Sequence, residues 1–179
     1  MDRPAPIIVT ALIGQPDFAY LDSLRRAHFP PERNVLRAHL TLFHHLPPSC
    51  EAELKQLLRD EARGNDPQAM LSNLINLGGG VAFRIDSPEL EDIRDRIAER
   101  FAPLLTPQDR NPWRAHVTVQ NKVKPAEARA LLAELAEDFR PRPCALAGLA
   151  AWRYCGGPWE PIAGYVFATG HSITLSGVC

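Results

Sequence analysis

Arg37-Ala38-His39-Leu40-Thr41-Leu42 returns later in the chain as Arg114-Ala115-His116-Val117-Thr118-Val119. The pairs that differ exchange one aliphatic residue for another. Histidine is the side chain that gives or takes a proton near neutrality, with an ordinary pKa of about 6.5. A threonine hydroxyl two residues away can donate to an oxyanion. Two such pairs on opposite sides of a phosphorus centre could divide the work. One imidazole would remove a proton from the attacking water or hydroxyl, and the other would protonate the departing oxygen. The hydroxyls would hold nonbridging oxygens for in-line attack. That arrangement requires no metal.

Both copies read as strands, because polar and aliphatic residues alternate and a strand sends alternate side chains to opposite faces. The phase puts Arg37, His39 and Thr41 on one face, and Arg114, His116 and Thr118 on one face. Leu40, Leu42, Val117 and Val119 turn to a core. Around these strands, residues 7–13 form an apolar strand ended by Gly14 and Pro16. Asp17 opens a helix carrying Tyr20, Leu21 and Leu24, which Pro30-Pro31 stops. The first motif strand covers roughly 36–46, and Ser49 and Glu51 start a second helix with Leu54, Leu57 and Leu58 on its apolar stripe. Two antiparallel strands lie between Met70 and Asp86 around Gly78-Gly79-Gly80. Ser87-Pro88-Glu89 starts a third helix, buried through Leu90, Ile93, Ile97 and Phe101 and ended by Pro103 and Pro107. The second motif strand covers roughly 114–123, and a helix from Pro125 carries Leu131, Leu132, Leu135 and Phe139. Strands at roughly 145–155 and 162–169 flank a glycine-rich loop at Gly156-Gly157-Pro158-Trp159. The order predicts an α+β fold: two duplicated strand-and-helix lobes, antiparallel sheets lining a central groove, and helices outside.

The chain has 179 residues, enough for one cored domain over 1–179. Its 45% hydrophobic and 23% charged content is that of an ordinary globular protein. A net charge of −1 argues against wrapping long duplexes but leaves a short or terminal nucleic-acid ligand open. Four cysteines lack zinc-type spacing. No stretch reads as a signal peptide or a membrane span, so a cytoplasmic protein without cofactors is expected.

His39-Leu40-Thr41-Leu42 and His116-Val117-Thr118-Val119 resemble the paired His-x-Thr-x motifs of the two-histidine (2H) phosphoesterase superfamily, in particular its bacterial RNA 2',3'-cyclic phosphodiesterase and 2'-5' RNA ligase-like branch. The resemblance implies metal-independent action on 2',3'-cyclic phosphate RNA ends, or on 2'-5' linkages in a short oligonucleotide or nucleotide. It further implies that His116 activates water, that His39 protonates the leaving 3' oxygen, and that Thr41 and Thr118 bind the phosphate. Members of that branch often carry an arginine five residues after the second motif histidine, where this chain has Asn121. Lys122 is adjacent, but strand alternation turns it to the other face unless a bulge intervenes. Arg37 and Arg114, in phase with the histidines, are the candidates to supply that charge. A catalytically idle RNA-end or nucleotide-binding module on the same fold is the alternative of a different class.

Other residues invite chemistry less strongly. Among the aromatics near strand ends, Trp159 is the best candidate to stack a nucleobase. His44 and His45 suggest a metal site with His39, yet neighbours on a strand face opposite ways and no carboxylate is near in sequence. His28 and His171 have no visible partner. Asp92, Arg94, Asp95 and Arg96 read as the solvated face of the third helix.

Overall fold

A computed structural model of the chain describes residues 5–168; His171 and Cys179 lie outside them. The elements are β1 (Ile7–Ile13), α1 (Gln15–His28), β2 (Leu40–Leu46), α2 (Glu51–Glu61), β3 (Met70–Asn76), β4 (Val81–Asp86), α3 (Pro88–Arg100), α4 (Pro107–Arg110), β5 (His116–Gln120), α5 (Pro125–Asp138), β6 (Arg142–Pro143), β7 (Leu146–Arg153) and β8 (Glu160–Val166). The strands form two four-stranded sheets, ordered β2-β1-β7-β8 and β5-β4-β3-β6, with every pairing antiparallel. This is the expected α+β architecture. Among the described residues no helix is long and apolar enough to cross a membrane.

The duplication has a feature that the linear order hides. The first half runs β1-α1-β2-α2-β3, and the second runs β4-α3-β5-α5-β7 apart from the small α4 and β6. β3, however, pairs with β4, and β7 returns to pair with β1. Each sheet therefore takes its third strand from the other half of the chain. The motif strands β2 and β5 end up as outer strands of their sheets and touch one another. α2 packs on β7 and β8, α5 on β3 and β4, and α1 against β5.

β1 is buried along its whole length, as an unbroken apolar run requires. Ile7, Val9, Ala11 and Ile13 join the main core, which also contains Leu40 and Leu42 from β2, Phe83 and Ile85 from β4, and Val117 and Val119 from β5. Phe83 meets the rings of Phe139 and Tyr20 edge-on, at 5.5 and 6.0 Å, and so ties α5 and α1 to β4. Ile8 and Leu12, on the other face, form a second cluster with Trp152 and Trp159. Thr10 is on that face too and accepts a hydrogen bond from Trp152 Nε1 at 2.8 Å. Because Thr10 pairs directly with Thr41, this second cluster is on the Thr41 side of the sheet.

Several local expectations shift. Gly14, not Asp17, precedes α1 as its cap; the Asp17 carboxylate is buried and binds Arg142 and the amide of Ala145. Ser49 falls in a 3-10 turn and makes no cap bond. Ser87 behaves as predicted, its Oγ accepting from the Leu90 amide at 3.2 Å. Pro107 opens the short helix α4 rather than only closing α3, since a proline fits a first helical turn, where its missing N–H costs nothing. The motif strands begin at Leu40 and His116, later than 36 and 114.

Candidate functional site

The late strand starts have a chemical consequence. The carbonyls of Arg37 and Arg114, just ahead of the strands, meet ring nitrogens instead of strand partners: His39 Nδ1 is 2.7 Å from Arg37 O, and His116 Nδ1 is 2.7 Å from Arg114 O. A carbonyl oxygen can only accept, so each Nδ1 carries the hydrogen. In the neutral ring the lone pair is then on Nε2. The two copies of the hexapeptide thus build the same histidine geometry twice.

The repeat extends past the hexapeptide. β2 bulges after Thr41, whose partner is Thr10, since the next pair joins Val9 to Phe43. β5 bulges at the equivalent place, between Thr118 opposite Ala82 and Gln120 opposite Val81. An extra residue in one strand re-aims the side chains beyond it. Val119 and Gln120 are consequently both buried, as are Leu42 and Phe43. A second bulge in β2, between Phe43 and Leu46, leaves His44 and His45 both exposed, so the expectation that they face opposite ways is overturned.

His39, Thr41, Arg114, His116, Thr118 and Trp159 line a common cleft of about 360 Å³. Arg37 does not. Its guanidinium binds Asp22 at 2.9 Å and stacks over Phe18, so the charge expected to reach a phosphate is already engaged by α1. Asn121 is also outside the lining, its Oδ1 accepting the Lys122 amide at 2.8 Å, and Lys122 sits in a turn at φ 62° beyond the end of β5. Trp159 reaches the cleft as a wall rather than an open platform: it is 7% exposed, and its ring centroid is 4.8 Å from that of His39.

The cleft is also lined by Arg94 and Asp109, which the sequence did not mark as site residues, by Trp113, which it offered only among the aromatics able to stack a base, and by His44, which it offered only as a metal ligand. Arg94 was expected on the solvated face of its helix, and the structure corrects this. It is 7% exposed, with Nε donating to Leu42 O at 3.1 Å, Nη2 donating to Asp109 O at 2.8 Å, and its guanidinium beside the rings of Phe43 and Trp113. Arg25 of α1 makes the reciprocal link, its Nη1 donating to Thr118 O at 2.9 Å. Each lobe therefore sends a buried arginine to a carbonyl of the opposite motif strand, and burial lowers the Arg25 pKa to about 10. Trp113 adds a third bond between the lobes, from Nε1 to Thr41 O at 3.0 Å. Among the described residues no group of three or more His, Cys, Asp or Glu side chains is placed to hold a metal ion.

The residues matched by the family model of the 2'-5' RNA ligase superfamily are 14–158, which include both motifs, the whole β5-β4-β3-β6 sheet, and β2 and β7 of the other sheet. The chain belongs to this superfamily of 2H phosphoesterases. Solved structures agree in fold across almost the whole chain. TT0787 of Thermus thermophilus is 14% identical, with 90% of this chain and 97% of that one covered at a TM-score of 0.63. E. coli LigT complexed with NADP+ is 18% identical, covering 92% and 98% at 0.57. A further phosphoesterase is 16% identical, covering 92% and 99% at 0.54. LigT has also been crystallised with phosphate, 3'-AMP and ATP. No match is found among curated proteins.

Within this 2H fold the electrostatics of His39 are dominated by burial. Burial pushes the His39 imidazolium down to about 4; the Arg37 carbonyl opposes this, and the charges of Arg25, His44 and His116 add to it. In an unfolded chain the same ring titrates near 6.5. Between those values the unfolded state binds the extra proton, so His39's contribution is present above pH 6.5 and lost as the pH falls toward 4. Urea denaturation of the wild type and of His39→Gln from pH 7 to pH 4 should show it. The wild type is expected to lose on the order of 2–3 kcal/mol more than the variant. Parallel losses in the two proteins would refute a depressed His39.

Proposed function

We propose that the protein is a metal-independent phosphoesterase that opens 2',3'-cyclic phosphates at RNA ends, or makes or breaks 2'-5' phosphodiester linkages, with His39 and His116 as acid/base partners. One observation carries the proposal: both rings fix Nδ1–H on the carbonyl two residues upstream and so leave Nε2 for a shared cleft. On a cyclic phosphate, water oxygen attacks phosphorus while His116 Nε2 takes its proton. The bond from phosphorus to the 3' oxygen breaks, and His39 Nε2–H supplies the proton to that oxygen. The product is a 2'-phosphomonoester, and proton exchange with solvent resets both rings. Thr41 and Thr118 donate to nonbridging oxygens, and Arg114 offsets their charge. Only the Arg114 carbonyl is engaged, by His116 Nδ1; no side-chain hydrogen bond or ion pair holds its guanidinium among the described residues.

His39 is neutral in the ligand-free cleft, whereas the acid role needs a proton on Nε2. The substrate itself supplies the correction, because a phosphodiester anion beside a buried ring favours the imidazolium. The cleft volume suits a nucleotide or a chain end rather than a duplex. Phosphate, 3'-AMP and ATP as ligands of LigT point the same way. The neutral His39 is also what a catalytically idle RNA-end or nucleotide-binding module would have, and one assay separates the two. A short RNA ending in 2',3'-cyclic phosphate is incubated with the protein in EDTA. Conversion to a single phosphomonoester isomer is expected; tight binding of that RNA with no conversion would select the binding module.

A further inference from the structure

His44 lines the same cleft as His39 and His116, and the two-histidine reaction leaves it unused. It follows His39 by five residues, the place Asn121 occupies after His116. The second bulge of β2 turns it outward, and that bulge is held by a carboxylate from the other lobe. Asp109 accepts the main-chain N–H groups of His44 at 2.9 Å and of His45 at 3.0 Å, and its Oδ1 lies 3.0 Å from His44 Nδ1. Although burial raises the Asp109 pKa, bonds from the His44 ring and from these two amides hold it below the ordinary carboxylate range. An ionised carboxylate only accepts, so His44 Nδ1 carries a hydrogen and the ring is locked with Nε2 as its remaining polar atom. The His44 side chain is 45% exposed while Asp109 is 1% exposed, which is the pattern of a presented group on a fixed support.

Charge points to an anion as the ligand. Asp109 is the only acidic residue among those described as lining the cleft, where His39, His44, His116, Arg94 and Arg114 supply the basic groups. Its own charge is met by the His44 ring and by Arg94.

We propose that His44, oriented by Asp109, is a phosphate-binding residue of this cleft: as the imidazolium it donates Nε2–H to a nonbridging phosphate oxygen while Nδ1–H stays on Asp109. The inference rests on the reading of the cleft as a phosphoester site and adds a residue that the paired motifs do not contain.

Calorimetric titration of the full chain with 3'-AMP, and with adenosine as the probe lacking phosphate, tests it. His44→Ala is expected to weaken 3'-AMP binding roughly 10- to 100-fold, the loss of a charge-assisted hydrogen bond, and to leave adenosine binding unchanged. His44→Arg returns a donor cation to the position and should recover affinity to within about 3-fold of wild type. A merely structural role for His44 would not be rescued by arginine. Equal 3'-AMP affinity in wild type and His44→Ala overturns the proposal, as does an arginine variant no better than alanine. Wild-type binding of 3'-AMP no tighter than adenosine also overturns it. The failures are separable: cyclic-phosphate turnover that persists while binding ignores His44 removes only this residue, whereas affinity that depends on His44 without any turnover removes the hydrolytic reading.

Discussion

Alanine in place of His39 or of His116 is expected to cut cyclic-phosphate turnover by roughly 10³-fold or more, with both proteins still folded. A positioned general acid or base typically contributes 10²- to 10⁴-fold. Each ring here is also preset by its bond to a carbonyl at 2.7 Å, so no reorganisation is needed when the proton moves. The two losses should not multiply. Proton removal from water and proton delivery to the leaving oxygen serve the same displacement, so the double variant should be little slower than the worse single one. Thr41→Val and Thr118→Val keep shape and remove a donor each, with an expected cost of roughly 10- to 100-fold. The deciding measurement is single-turnover hydrolysis by the wild type and the histidine variants, with circular dichroism confirming the fold. Retention of a tenth of wild-type activity by either alanine variant would falsify the acid/base assignment.

What the sequence disclosed, and what it hid, follow from how local the causes are. The helix at Ser87 was legible because its cap, its proline and its apolar stripe sit within a few residues, and the pairing of β3 with β4 because three glycines separate two apolar runs. The exchange of third strands was not legible, since nothing in residues 70–76 or 146–153 marks which sheet will take them. His39, Thr41, His116 and Thr118 meet in the cleft because the repeat fixed their phase. Arg37 has the same phase and is missing from the cleft, because Asp22, fifteen positions earlier, reaches it across the turn from α1. Arg94 carried a readable signal that charge obscured. Leu90, Arg94 and Ile97 fall on one helical face at i, i+4 and i+7. Phe18, Leu21 and Arg25 likewise share one face of α1, at i, i+3 and i+7. An arginine in phase with the buried stripe of each half was therefore the trace of the two links between the lobes. His44 gave no such trace, because alternation fails at a bulge and its carboxylate partner is 65 positions away.

The greatest loss of stability from one side chain is expected at Asp109, and the reason is how many groups depend on it. Asp109→Ala would leave the amides of His44 and His45 without their acceptor and would release the His44 ring. It would also remove the carboxylate whose charge most favours the guanidinium of Arg94, buried beside Phe43 and Trp113. Each orphaned group costs about 1–3 kcal/mol, and the two amides and the Arg94 guanidinium all lose by the change. These penalties overlap, because an exposed bulge can take water at the freed amides; a net loss of about 3–5 kcal/mol is expected. For a chain of this length that corresponds to a fall in Tm of roughly 10 °C. Asp109→Asn keeps one acceptor oxygen and gives up the charge, so it should fall about midway. Thermal denaturation followed by circular dichroism checks both. A Tm for Asp109→Ala within about 2 °C of wild type would mean that the bulge and the buried arginine hold without the carboxylate. It would follow that His44 owes its orientation to β2 alone, and the contact between the lobes at this end of the cleft would be a consequence of the fold rather than one of its supports.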